Sequence, residues 1–135
     1  MIGPFLVARL TADSVVGPMV GTNVFDTTAP QDVLPPFIVF EEFDGERYEQ
    51  MGSDANICDA RLRLHIWHTN VPDRDTLVTG VRQSLQRYSG TLAGIEVDDL
   101  FIIAGGPSFF DATLRAYHVV RDFRVIYRES GPEES

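Results

Sequence analysis

The hydrophobic and polar positions along the chain alternate most cleanly from Cys58 to His68. Cys58, Ala60, Leu62, Leu64 and Ile66 point one way and Asp59, Arg61, Arg63, His65 and Trp67 the other. A period of two residues is that of a strand with one buried and one open face. The period then changes. Leu77, Val78, Val81, Leu85 and Tyr88 recur at helical spacing, with Arg74, Arg82, Gln83, Gln86 and Arg87 opposite. Asp73 is placed to cap this helix, and Gly90 to end it in a left-handed turn. Gly80 sits inside the pattern at a cost of about 1 kcal/mol against alanine, which predicts close packing onto a sheet.

Other segments are read from this unit outward. Pro4–Leu10 forms a short helix with Phe5, Leu6 and Leu10 on one face, extended for a turn over Ala12–Val16 and broken by Gly17-Pro18. Gly21–Phe25 is a turn into a short strand, and Asp26–Leu34 a loop rich in Thr, Asp and Pro. Phe37, Ile38, Val39 and Phe40 leave no polar face, so their strand is covered on both sides. Phe43–Ala55 is long and polar, either a loop between antiparallel strands or an extension of both strands into an arm. Gly94–Ile103 is a strand bulged near Asp98-Asp99, and Ala104–Asp111 a turn-rich connection that holds Phe109 and Phe110. The last strand, Leu114–Arg128, turns Tyr117, Val119, Phe123, Val125 and Tyr127 to the core and His118, Asp122, Arg124 and Arg128 outward. The order α-β-β-β-α-β-β predicts an α+β fold, a mainly antiparallel sheet with its helices on one face. One domain spans Met1–Glu129, and 130–135 is a disordered acidic tail.

Composition narrows the function. The 135 residues include 20 acidic against 11 basic side chains, a net charge of −9, and no lysine. A grip on nucleic-acid phosphates needs clustered cations, so the composition argues against DNA binding through this surface. The single Cys58 can form no internal disulfide. No apolar run reaches the roughly 18 residues of a membrane span. The N-terminus lacks the leading positive charge of a signal peptide, which predicts synthesis in the cytoplasm.

Chemistry-bearing residues do not assemble. Cys58 and His68 share a strand face about 33 Å apart while His65 faces away, so no metal site results. Cys58 on a buried face is no activated thiolate. The carboxylates Glu41, Glu42, Asp44 and Glu46, and Asp98 with Asp99, read as solvated strand ends and turns. Gly105-Gly106-Pro107 lacks the spacing of a phosphate loop. Aromatic and apolar groups in exposed places stand out instead, and Phe43, Arg47, Tyr48, Met51, Trp67, Phe109 and Phe110 are the candidates for a protein interface.

From Leu10 to Glu129 the chain resembles the phage tail-completion, or tail terminator, proteins. The resemblance is carried by Leu10 and Asp13 on the first helix, by Gly21–Phe25, by Ala29-Pro30-Gln31 and by Leu34–Phe40. It continues through Arg61–His68, the helix running into Gln83–Gly94, and Asp122–Glu129. It implies a structural virion protein without enzymatic activity or cofactor. Such a protein forms a ring, usually of six copies, at the head-proximal end of the tail tube. Its implied partners are copies of itself, the tail tube protein and the head–tail connector or stopper protein. DNA passes through the lumen without sequence-specific binding, and no membrane is involved. Similar proteins serve phages and gene-transfer agents. Two other readings remain: a head-completion or neck protein on the portal side, and a small α+β ligand-binding domain or enzyme using His65, His118 and Asp98/Asp99.

Overall fold

The computed structural model describes residues 2–49 and 56–129. Among these residues three helices lie against one face of a six-stranded sheet of order β1-β2-β3-β6-β5-β4. The chain runs α1 (Gly3–Ala12), α2 (Val16–Val20), β1 (Val24–Asp26), β2 (Phe37–Glu49) and β3 (Asn56–His68). It continues through α3 (Val71–Leu85), β4 (Gly90–Leu92), β5 (Ile95–Asp111) and β6 (Ala116–Glu129). The fold is α+β as expected, with one exception to its antiparallel character: β1 pairs with β2 in parallel. None of these helices is long and apolar enough to cross a membrane.

The core follows the alternation. Cys58, Ala60, Leu62, Leu64 and Ile66 of β3, with Val119, Phe123, Val125 and Tyr127 of β6, are buried beneath Phe5, Leu6 and Leu10 of α1 and Leu77, Val81 and Leu85 of α3. β2 is covered on both sides: Ile38 and Phe40 enter this core, while Phe37 and Val39 are buried on the other face. Beyond Phe43 the chain takes the arm alternative, because β2 continues past a bulge to pair Glu46, Arg47, Tyr48 and Glu49 with Asp59, Cys58, Ile57 and Asn56. The rest of that stretch, 50–55 with Met51, and the acidic tail 130–135 lie outside the described residues.

Several expectations need correction. Gly17-Pro18 does not break a helix. The break lies at 13–15, where the Asp13 carboxylate accepts from the amides of Val15 and Val16, both at 2.9 Å. Pro18 then falls in the first turn of α2, where its missing N–H has no intrahelical partner to lose. The N-cap of α3 is Asn70, whose Oδ1 accepts from the Asp73 amide at 2.9 Å; Asp73 returns the contact by accepting from Asn70 Nδ2 at 3.0 Å. The helix ends at Leu85, not at Gly90: Gln86 turns extended and Arg87 takes the positive φ of 60°. Gly90 opens β4, a strand too short to show in the pattern. Gly80 packs on the α1–α2 connection, where an added Cβ would lie 2.9 Å from Val15 Cγ1 and 3.2 Å from Val16 Cγ2.

The largest departure is at Ala104–Asp111, which continues β5 instead of leaving the sheet. Register shifts after Ile102 and after Gly105 absorb the Gly-Gly-Pro stretch, and Ser108–Asp111 pair with Val119–Ala116. Gly106 is needed there, since a Cβ would fall 2.6 Å from the Val120 carbonyl oxygen.

Candidate functional site

The face of the sheet turned away from the helices is built from the outward positions of β2, β3, β5 and β6. Register decides which of them meet. Phe37, Trp67, His118 and Phe109 fall opposite one another across four strands. With Phe25 of β1 they form an aromatic ladder, with ring centroids 6.4 Å apart for Phe25–Phe37, 4.6 Å for Phe37–Trp67, 4.1 Å for Trp67–His118 and 4.6 Å for His118–Phe109. The Trp67 and His118 rings are nearly parallel, at 17°. Trp67 Nε1 is buried with no hydrogen-bond partner among the described residues.

Next to the ladder, His65 joins two strands. Its Nδ1 lies 2.9 Å from His118 Nε2 and its Nε2 2.9 Å from Glu41 Oε1. Burial, and secondarily the His65 charge, pushes the His118 imidazole below its ordinary value of 6.5. A groove of about 420 Å³ opens above these groups, lined by Thr27, Pro30, Phe37, Trp67, Leu114 and His118 among others. Farther toward the arm the face is a ladder of ion pairs. Arg63 grips Asp122 through two bonds of 2.8 and 3.0 Å, and Arg124 grips Asp59 in the same forked way. The guanidinium of Arg63 holds Asp122 below the usual carboxylate range, and that of Arg124 does so for Asp59. Arg128 meets Asp98 at 2.8 Å. Arg63, Arg124 and Arg128 are therefore neutralised locally, while Arg61 lies over the Phe43 ring.

The interface candidates fall into different settings. Phe109 and Phe110 are 47% and 50% exposed, on a strand rather than a loop. Phe110 rests edge-on against Tyr117. Trp67 is half-buried within the ladder. Phe43 lies under the guanidinium groups of Arg63 and Arg61, at 5.3 and 5.9 Å. Arg47 and Tyr48 lie on the arm of β2 opposite Cys58 and Ile57.

The constellation of His65, His118, Asp98 and Asp99 is not assembled. The two histidines meet, but Asp99 pairs with Arg87 at 3.2 Å and Asp98 with Arg128. Cys58 and His68 lie buried toward opposite ends of β3, on the face that His65 does not share. Sequence reasoning missed the network at the root of the arm. There Glu42 accepts from the Ile2 amide at 3.1 Å and from the Tyr127 hydroxyl, and burial with that bond raises the Tyr127 phenol well above its usual value. The signal available was Glu42 itself, an acid that follows Ile38 and Phe40 on the same face of the strand.

Three comparisons bear on this geometry. The family model described as tail completion protein gp17 matches residues 5–128. A solved structure entitled "Virion of native gene transfer agent (GTA) particle" contains a similar chain, with a TM-score of 0.68 over 91% of each chain at 13% identity. That likeness is one of fold. No curated protein matches the sequence.

Proposed function

Starting from a chain that belongs to the tail completion protein gp17 family, and so to the structural proteins of the phage tail, we propose that it closes into a ring. The ring, of six copies, sits at the head-proximal end of the tail tube. It ends tube polymerisation and offers a docking surface to the head connector, and DNA passes through its lumen. The observation that carries this reading is the family match over 124 of 135 residues (5–128). The protein acts as one unit over 1–129 and performs no catalysis.

Three features support the reading. A ring needs a heterologous contact in which two different surfaces of each copy meet. Here the ends of the sheet differ: β2 carries an arm past Phe43 at one end, and Phe109 and Phe110 lie exposed at the other. An open edge of this kind can accept a neighbour's backbone, and exposed aromatic groups suit an interface core. The net charge of −9 and the locally paired arginines leave no cationic track for phosphates, as a channel that releases DNA requires.

Imaging particles from a deletion mutant tests the assignment. Filled heads beside unjoined, overlong tails are expected. Heads that leak DNA beside tails of normal length would instead assign the chain to the portal side of the joint.

A further inference from the structure

The Glu41–His65–His118 relay beneath Trp67 has no part in the assembly reading, and its geometry is sensitive to protons. We propose that His65, His118 and Trp67 form an acid-opened latch that ties the end of the β5–β6 hairpin to β3. The inference does not depend on the ring.

The proton balance follows from the contacts. With both imidazoles neutral, His65 Nε2–H donates to Glu41 and His65 Nδ1 accepts from His118 Nε2–H, each across 2.9 Å. One added proton is accommodated by the pair: a single N–H still bridges the two ring nitrogens, and the Glu41 carboxylate balances the charge. A second proton on His118 Nε2 sets two N–H groups against each other at that separation. No tautomer relieves this, so the rings must part.

The surroundings decide when the second proton arrives. β2 contributes Glu41, whose side chain is 43% exposed, and the next row holds Arg63 of β3 bound to Asp122 of β6. Asp111 at the end of β5 favours the charged His118, but burial and the His65 charge outweigh it. The covering loop lines the groove with the neutral Thr27, Thr28, Ala29, Pro30, Gln31 and Val33. Opening therefore falls below the ordinary histidine value. When His118 swings out, Trp67 loses the ring stacked on it at 4.1 Å and Phe109 loses its edge contact at 4.6 Å. The aromatic row is thereby broken at His118, while the backbone ladder of β3 and β6 stays paired beside it.

Trp67 is the chain's single tryptophan, so its emission reports the latch directly. Titrating the whole protein from pH 8 to 5, we expect a sigmoidal change with its midpoint below 6.5 and unchanged far-UV circular dichroism. In His65→Gln the repelling neighbour is gone, and the midpoint should rise by roughly one unit. In His118→Gln the change should vanish. Imidazole-nitrogen NMR of the unsubstituted protein, which needs no variant, should show two unequal protonation steps. Equal, independent steps, the same midpoint in H65Q as in wild type, or a change that coincides with loss of secondary structure would each overturn the latch.

Discussion

Trp67 is held face to face between Phe37 and His118, whereas Phe110 leaves half its surface in solvent. The two should answer substitution differently. Trp67→Ala removes a ring from a stacked row and should cost roughly 3 kcal/mol in urea unfolding. Phe110→Ser should stay within about 0.5 kcal/mol while weakening assembly. Asp59 and Asp122 give a pH dependence at the same scale. Their partners Arg124 and Arg63 hold both carboxyls lower in the folded chain than their unfolded value of 3.8. The stability they contribute is present above that value and is lost as pH falls through the lower folded one. Urea midpoints should therefore decline below about pH 4, and less steeply in Asp122→Asn. The side on which Trp67, Asp59 and Asp122 sit was legible from alternation, whereas Phe110 was expected in a connection and lies on β5. That His65 meets His118, or that Trp67 is sandwiched, depends on register between strands far apart in sequence, 30 residues for Phe37 and Trp67 and 53 for the histidines, which no local pattern encodes.

Long elements with a steady period were readable: β3 over its full length, the stripe of α3, the doubly covered start of β2 and the bulge at Asp98-Asp99. Their ends were less so. Asp73 and Gly90 are plausible cap residues in isolation, but Asn70 lies three residues earlier with Pro72 in the first turn, and β5 takes the Arg87 amide at its Leu100 carbonyl, 2.6 Å away. Asn70→Ala should accordingly cost about 1 kcal/mol, more than Asp73→Ala, as read by thermal or chemical denaturation. α2 and β4, of five and three residues, exist through tertiary pairing rather than propensity. β5 shows the same effect at larger scale, since Gly105-Gly106-Pro107 looks like a turn until β6 is alongside. Gly106→Ala should destabilise by about 1–3 kcal/mol, because the Val120 backbone it would strike has no flexible end to move. Gly105→Ala, with nothing within 4 Å of its added Cβ, should be nearly silent.

Over the whole molecule, helices cover one face of the sheet and leave the other with an aromatic ladder at one end and paired charges toward the arm. In the proposed ring this division would separate a stable scaffold from the parts available to partners. The fold class and the family were legible from the chain, because they rest on the sequence of strands, turns and caps across its length. The surface that would join copies in the proposed ring was not, because an interface is complementary to something the sequence does not contain. The central claim is that this member of the tail completion family works as a closed ring. Light scattering on the purified protein over a range of concentrations, with negative-stain imaging of the same sample, tests it most directly. The account predicts a discrete closed species of six subunits, or its appearance on adding tail tube protein. A strict monomer at every concentration that also failed to bind tail tube protein and connector would contradict it.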